Sequence, residues 1–143
     1  MDTNNTNDNT NNTNDNTDMN SLNKYIDACI FNSTHYDIAL VVHKYLKDKH
    51  RYVNNNTWEY LTSLGWTPDI NTQELTYSIR TIVCSAFTQR SLYWADVNNA
   101  NAKDINKYPD TEIISNKLLL ISSKLKEKKY ISVLIKECKQ FFI

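Results

Sequence analysis

Glycine is nearly absent: Gly65 is the single one in 143 residues, and proline occurs twice, at Pro68 and Pro109. A glycine-rich phosphate loop or a dinucleotide fingerprint needs two or more glycines at fixed spacing, so both are excluded. So few turn formers also argue against a sandwich or barrel and favour helices. No run approaches the ~18 apolar residues of a transmembrane helix, so no membrane partner is expected. Cysteine is sparse and odd in number: Cys29, Cys84 and Cys138 are widely separated and form no C-x-x-C pair. No apolar signal segment opens the chain, which makes structural disulfides unexpected and a reducing, intracellular location the expectation. Sequons such as Asn32-Ser33-Thr34 are then products of an asparagine-rich chain.

Metal and nucleophile signals are also missing. His35, His43 and His50 are the only histidines, and none has a second ligand at metal spacing. No nucleophile motif surrounds any serine. Cys84 falls within a helical pattern, on or near its apolar face, and reads as a small packed hydrophobe. The acids are scattered and mostly flanked by lysines, so no pair of carboxylates suggests acid–base work. No enzyme, metal or cofactor is expected.

What is present is enough for a core: 41% of residues are hydrophobic and 11% aromatic. The net charge of zero hides a gradient. Residues 1–18 carry four aspartates and no base, whereas residues 103–143 carry nine lysines against five acids. Residues 2–18 contain only Asp, Thr and Asn, so nothing there offsets the entropy of ordering. This segment is expected to be a disordered low-complexity tail. Residues 19–143 are expected to form one domain.

Within that domain the spacing predicts about five helices and a small sheet. Leu22, Tyr25, Ile26, Cys29 and Ile30 make the first apolar stripe. Thr34 with Asp37 resembles a capping box that starts a second helix running to about Lys47. Tyr52-Val53, a turn at Asn54-Asn55-Asn56, the run Thr57–Leu61 and a turn at Ser63-Leu64-Gly65 suggest an antiparallel hairpin or three-stranded meander, ending near Pro68. Asn71 or Thr72 caps a third helix reaching about Trp94, and Asp96 to Asp110 reads as a loop. A fourth helix covers about Thr111 to Leu125. A fifth follows a break near Glu127–Lys129, with Ile131, Leu134, Ile135, Cys138, Phe141 and Phe142 apolar. The apolar Phe141-Phe142-Ile143 end calls for cover from its own core, a partner or further sequence. The fold class is therefore α+β, mostly helical.

Two constellations bear on function. Lys49, Arg51, Tyr52, Trp58, Tyr60 and Trp66 place cations beside aromatic faces, which is what stacking and phosphate contact require of a single-strand binder. The same tryptophans could instead plug a thin helix–sheet core. Lys124, Lys126, Lys128 and Lys129, followed by Lys136 and Lys139, cluster cations as phosphate contact requires. A solvated lysine-rich face is the alternative.

The order of motifs adds a resemblance. Asp37-Ile38-Ala39 leads to Tyr45-Leu46-Lys47-Asp48-Lys49, then Arg51-Tyr52-Val53, Trp58-Glu59-Tyr60 and Gly65-Trp66. Ile79-Arg80-Thr81-Ile82 follows, then Ser123-Lys124-Leu125-Lys126, and finally Ile135-Lys136-Glu137-Cys138-Lys139-Gln140-Phe141-Phe142. From about Tyr36 to Phe142 this resembles the region preceding the motor of the superfamily 3 primase–helicases of poxviruses, giant DNA viruses and some phages and plasmids. In that family the chain continues into a P-loop ATPase, and the primase residues lie upstream. The resemblance therefore implies a non-catalytic connecting or collar-like module in DNA replication, without motor or primase chemistry. It implies contact with DNA, with a helicase or primase partner, or self-association through the helix at residues 130–143. Arg51, Trp58 and Trp66 are its candidate hairpin contacts, and Lys124, Lys126, Lys128 and Lys129 its candidate phosphate contacts. A second reading is a small helical protein-interaction module with no nucleic-acid role, docking through Phe141-Phe142-Ile143.

Overall fold

Thr34 starts a helix as the sequence predicts. Its hydroxyl accepts the backbone N–H of Asp37 at 3.2 Å and donates to the Asp37 carboxylate at 2.5 Å, satisfying one of the free donors of the first turn. Just before it, the Ser33 hydroxyl donates to the Cys29 carbonyl at 2.8 Å at the end of the preceding helix. The structure is a computed structural model that describes residues 21–97 and 110–143, together with the helical backbone of 98–100. The tail at residues 1–18 and most of the loop expected before Asp110 lie outside the described residues.

The described residues form five helices around a three-stranded antiparallel sheet. Helix α1 spans residues 21–28 and α2 spans His35–Leu46. Strands β1 (His50–Val53), β2 (Thr57–Thr62) and β3 (Gly65–Pro68) follow in the order β1-β2-β3. The β1–β2 turn places Asn55 and Asn56 in the left-handed region, which asparagine tolerates. Gly65, at φ 109°, opens β3 after the Ser63-Leu64 turn. Helix α3 begins as Gln73–Ser78, widens to a π-helical turn at Ile79–Val83 and continues as Cys84–Ala100. Helices α4 (Thr111–Lys124) and α5 (Lys128–Cys138) complete the fold.

Two details of α3 differ from the sequence reading. Its start is held by Asp69, whose carboxylate accepts the N–H groups of Glu74 and Leu75, both at 2.9 Å. Asn71 and Thr72 instead adopt left-handed backbone angles and make no side-chain cap. The helix also runs past Trp94 to Ala100. Its buried positions Leu75, Ile79, Val83, Phe87 and Ser91 recur every four residues. An ordinary helix drifts about 40° with each step of four. The wide turn takes back roughly one residue of that drift and keeps the stripe on the core.

One apolar cluster joins the five helices with β1 and β2. Helix α2 packs on α5, and α3 packs on α4. The α3–α4 seam is polar. Ser91 and Ser115 exchange hydroxyl-to-carbonyl bonds at 2.7 and 2.9 Å. Ser122 meets Thr88 at 2.5 Å and the buried Cys84 thiol at 3.3 Å. Small side chains let the helices approach, and each buried hydroxyl keeps a partner. As a consequence, Leu119 and Leu120 face outward. Helix α1 is tied to α3 by Arg90, which forks onto Asp27 at 2.9 and 2.7 Å, while the Trp94 indole N–H donates to the same carboxylate at 3.1 Å.

The C-terminus is covered by its own core. The Phe142 ring lies 5.2 Å from Trp58 and 5.0 Å from His43, and Phe141 lies 5.2 Å from Tyr36. Phe142 is therefore buried and Phe141 half-buried, and only Ile143, 92% exposed, is free of that end. A docking surface made of all three residues is not what the chain presents.

Candidate nucleic-acid interface

Strand alternation decides the fate of the aromatic–basic set. Arg51 pairs with Glu59, and Leu61 pairs with Trp66, so all four share the outer face of the sheet. Arg51 holds a single Glu59 oxygen with Nε and Nη2, both at 2.8 Å. Its guanidinium lies 4.3 Å from the centre of the Trp66 ring. Arg51 and Trp66 are thus brought together, but the arginine's charge is matched by Glu59 and one indole face is covered.

Trp58 points the other way. It pairs with Tyr52 on the inner face, is 3% exposed and touches Tyr52 and Phe142. It is a core side chain, not a member of the Arg51–Trp66 surface. Period-two alternation already separates Trp58 from Glu59, its neighbour on β2.

The lysines are divided by the fold. Lys124 ends α4, Lys126 lies in the link, and Lys128 and Lys129 open α5; all four are exposed. None forms an ion pair among the described residues. Lys128 and Lys129 occupy the first turn of a helix whose own dipole is positive there, and Glu127 makes no side-chain cap. Positive potential therefore gathers at this end of α5.

Two depressions border α5. The first, about 480 Å³, is lined by Asn71, Gln73, Thr76, Tyr77, Arg80 and Lys128. The second, about 260 Å³, is lined by Asn56, Trp58, Thr72, Ser132, Ile135, Lys136 and Lys139. Adjacent residues Asn71 and Thr72 stand one in each wall. Four cations line the pair, and no acid does. Lys139 donates to the Asn56 side-chain oxygen at 2.8 Å, a neutral partner that leaves its charge uncompensated. Of the four lysines singled out by composition, only Lys128 belongs here. Arg80 and Tyr77 were missed because nothing in a linear reading places α3 beside α5. The spacing Lys128–Ser132–Lys136–Lys139, which marks one helical face, was the available signal.

Other features offer less chemistry. A further depression, about 550 Å³, lies along α3 beside Tyr45, Ile82, Ala86 and Tyr93, and its one charged side chain, Arg90, is engaged by Asp27. His50 is buried, contacts the Ser78 hydroxyl at 3.1 Å through Nε2, and has its pKa lowered chiefly by burial. Burial pushes the Cys29 and Cys138 thiols up to about 12, so they stay protonated at neutral pH. No group of three or more His, Cys, Asp or Glu among the described residues could hold a metal ion. No helix among them is long and apolar enough to cross a membrane. The chain matches no protein-family model, no curated protein and no solved structure.

Proposed function

We propose that this chain is a non-catalytic module that contacts nucleic acid, of the replication-associated kind its motif order resembles. One observation carries the reading: Arg80, Lys128, Lys136 and Lys139 line two neighbouring depressions with no acidic side chain between them. Clustered, unpaired cations release counterions when they meet phosphates, which is the dominant source of non-specific affinity. The Arg51–Trp66 surface contributes less, because Glu59 neutralises the arginine.

Fluorescence anisotropy of the full chain against labelled DNA, at several salt concentrations, tests the proposal. Binding that weakens steeply with salt supports it. Replacing Arg80, Lys128, Lys136 and Lys139 by glutamine should weaken binding and flatten the salt slope by about 0.7–0.9 per lost phosphate contact. No binding at low salt overturns it.

A second reading rests on the α3–α4 pair, where serines face inward while Leu92, Ile113, Leu119 and Leu120 are exposed. Such a face suits a helical protein-interaction module. Sedimentation of the parent and of a Leu119→Gln/Leu120→Gln variant distinguishes it: association lost in the variant supports this reading, and a monomer in both counts against self-association there.

A further inference from the structure

We infer that the cationic face of α5, with Tyr77, forms a track for single-stranded nucleic acid rather than a duplex-docking face; this rests on the nucleic-acid reading above. Three observations lead there.

The first is the shape of the surface. A helix that reads duplex DNA enters the major groove, with its base-contacting face unobstructed. The cationic side of α5 is walled instead. Asn71 and Thr72 stand beside Lys128 and Lys136, and Asn56 stands beside Lys139. These neighbours come from the β1–β2 turn and from the turn before α3. The result is a pair of recesses, and a recess accepts one strand more readily than a rigid double helix.

The second is an aromatic ring in the right place. Tyr77 is 64% exposed, lines the first depression together with Arg80 and Lys128, and has no ring or cation partner among the described residues. Several other rings already have partners: Trp66 has Arg51, Tyr93 and Trp94 have Arg90, Tyr52 has Trp58, and Tyr36 has Phe141. A base unstacked from its neighbours can lie on a free phenol ring while cations beside it hold the phosphates. In a duplex that base is not available.

The third is the set of neutral polar groups. The amides of Asn71 and Gln73 share the depression with Tyr77, and the hydroxyls of Thr72 and Ser132 lie in the next one. Amides can bond the exposed edges of splayed bases. Lys128 and Lys136 are eight residues apart, or about 12 Å along the helix, so the track has room for a few nucleotides.

The test compares a labelled oligothymidylate of about 15 nucleotides with a duplex of equal length, at matched salt, on the full chain. The single strand is expected to bind about tenfold or more tightly. Tyr77→Ala should weaken single-strand binding about five-fold or more while leaving duplex binding unchanged, and Tyr77→Phe should restore it. Because Tyr77 is exposed, the circular dichroism and melting of both variants should match the parent. Duplex binding that equals or exceeds single-strand binding, or a Tyr77→Ala variant that binds the single strand like the parent, overturns the inference while leaving nucleic-acid contact in place. Absence of binding to either DNA overturns both.

Discussion

Tyr52 donates its backbone N–H to the carbonyl of Phe142 at 3.0 Å. The chain end thereby satisfies a donor on the edge strand β1, and its ring enters the core between Trp58 and His43. Edge strands leave unpaired donors that invite association with other chains, and covering the edge reduces that hazard.

Phe142 should accordingly matter far more than its position near the terminus suggests. Phe142→Ala leaves a cavity beside Trp58 and is expected to cost about 3–5 kcal/mol in chemical denaturation. Deleting Ile143, which is 92% exposed, should cost less than about 0.5 kcal/mol. Equal effects of the two changes would contradict the packing described.

Arg90 offers a second test, of how α1 is held. Its guanidinium grips both Asp27 oxygens and stacks on Tyr93, with its centre 4.2 Å from that ring. Lysine carries the charge but lacks the fork. Arg90→Lys should therefore destabilise by about 1–3 kcal/mol in urea denaturation, and Asp27→Asn by a similar amount. A double variant losing clearly less than the sum of the singles would show that the two residues act as a pair.

The buried His50 links stability to pH. Burial lowers its pKa below 6.5, Lys49 acts in the same direction, and Asp69 opposes both. In the unfolded chain His50 takes up a proton as pH falls through about 6.5, before it does so in the folded protein. The unfolded state then binds more protons, so stability is retained above that pH and falls as pH drops from about 6.5 toward the lower folded value. His43 shifts in the same direction, chiefly through burial. Chemical denaturation at pH about 7.5 and about 5.5 should show the loss, and His50→Gln should leave a shallower dependence carried by His43. An unchanged slope in that variant would remove His50 from the account.

The legibility of the sequence varied from element to element, for physical reasons. Thr34 and Asp37 cap α2 as read, because a capping box is a local interaction between residues three apart. The hairpin or three-stranded meander was legible from the turns at Asn54–Asn56 and Gly65, where Asn55, Asn56 and Gly65 adopt positive φ that only a few residue types tolerate. Asp69 was not recognised as the cap of α3, since an intervening turn with two left-handed residues separates it from the N–H groups it bonds. Nothing in the sequence marked Ser115 and Ser122 as buried, because their partners Ser91 and Cys84 are distant in sequence. For the candidate interface, composition found cations but not their grouping. Arg80 and Lys128 meet only through tertiary packing, and Trp58 was grouped with Arg51 although strand alternation sends it inward.

The division of the lysines gives the sharpest test of the interface. If affinity followed charge count alone, Lys124→Gln/Lys126→Gln and Lys128→Gln/Lys136→Gln would weaken nucleic-acid binding equally, since each removes two exposed positive charges. The structure separates them. Lys128 and Lys136 line the depressions, whereas Lys124 and Lys126 line neither. An exposed charge that does not touch phosphate is weakened by salt screening, while one in contact with phosphate is screened much less. Anisotropy near 0.15 M salt should therefore show the Lys128/Lys136 variant losing about ten-fold or more in affinity, with the Lys124/Lys126 variant within about three-fold of the parent. Lowering the salt should bring the two closer, because unscreened long-range attraction then counts every lysine. Equal losses at both salt concentrations would mean that a diffuse basic surface, rather than the recesses along α5, binds the strand.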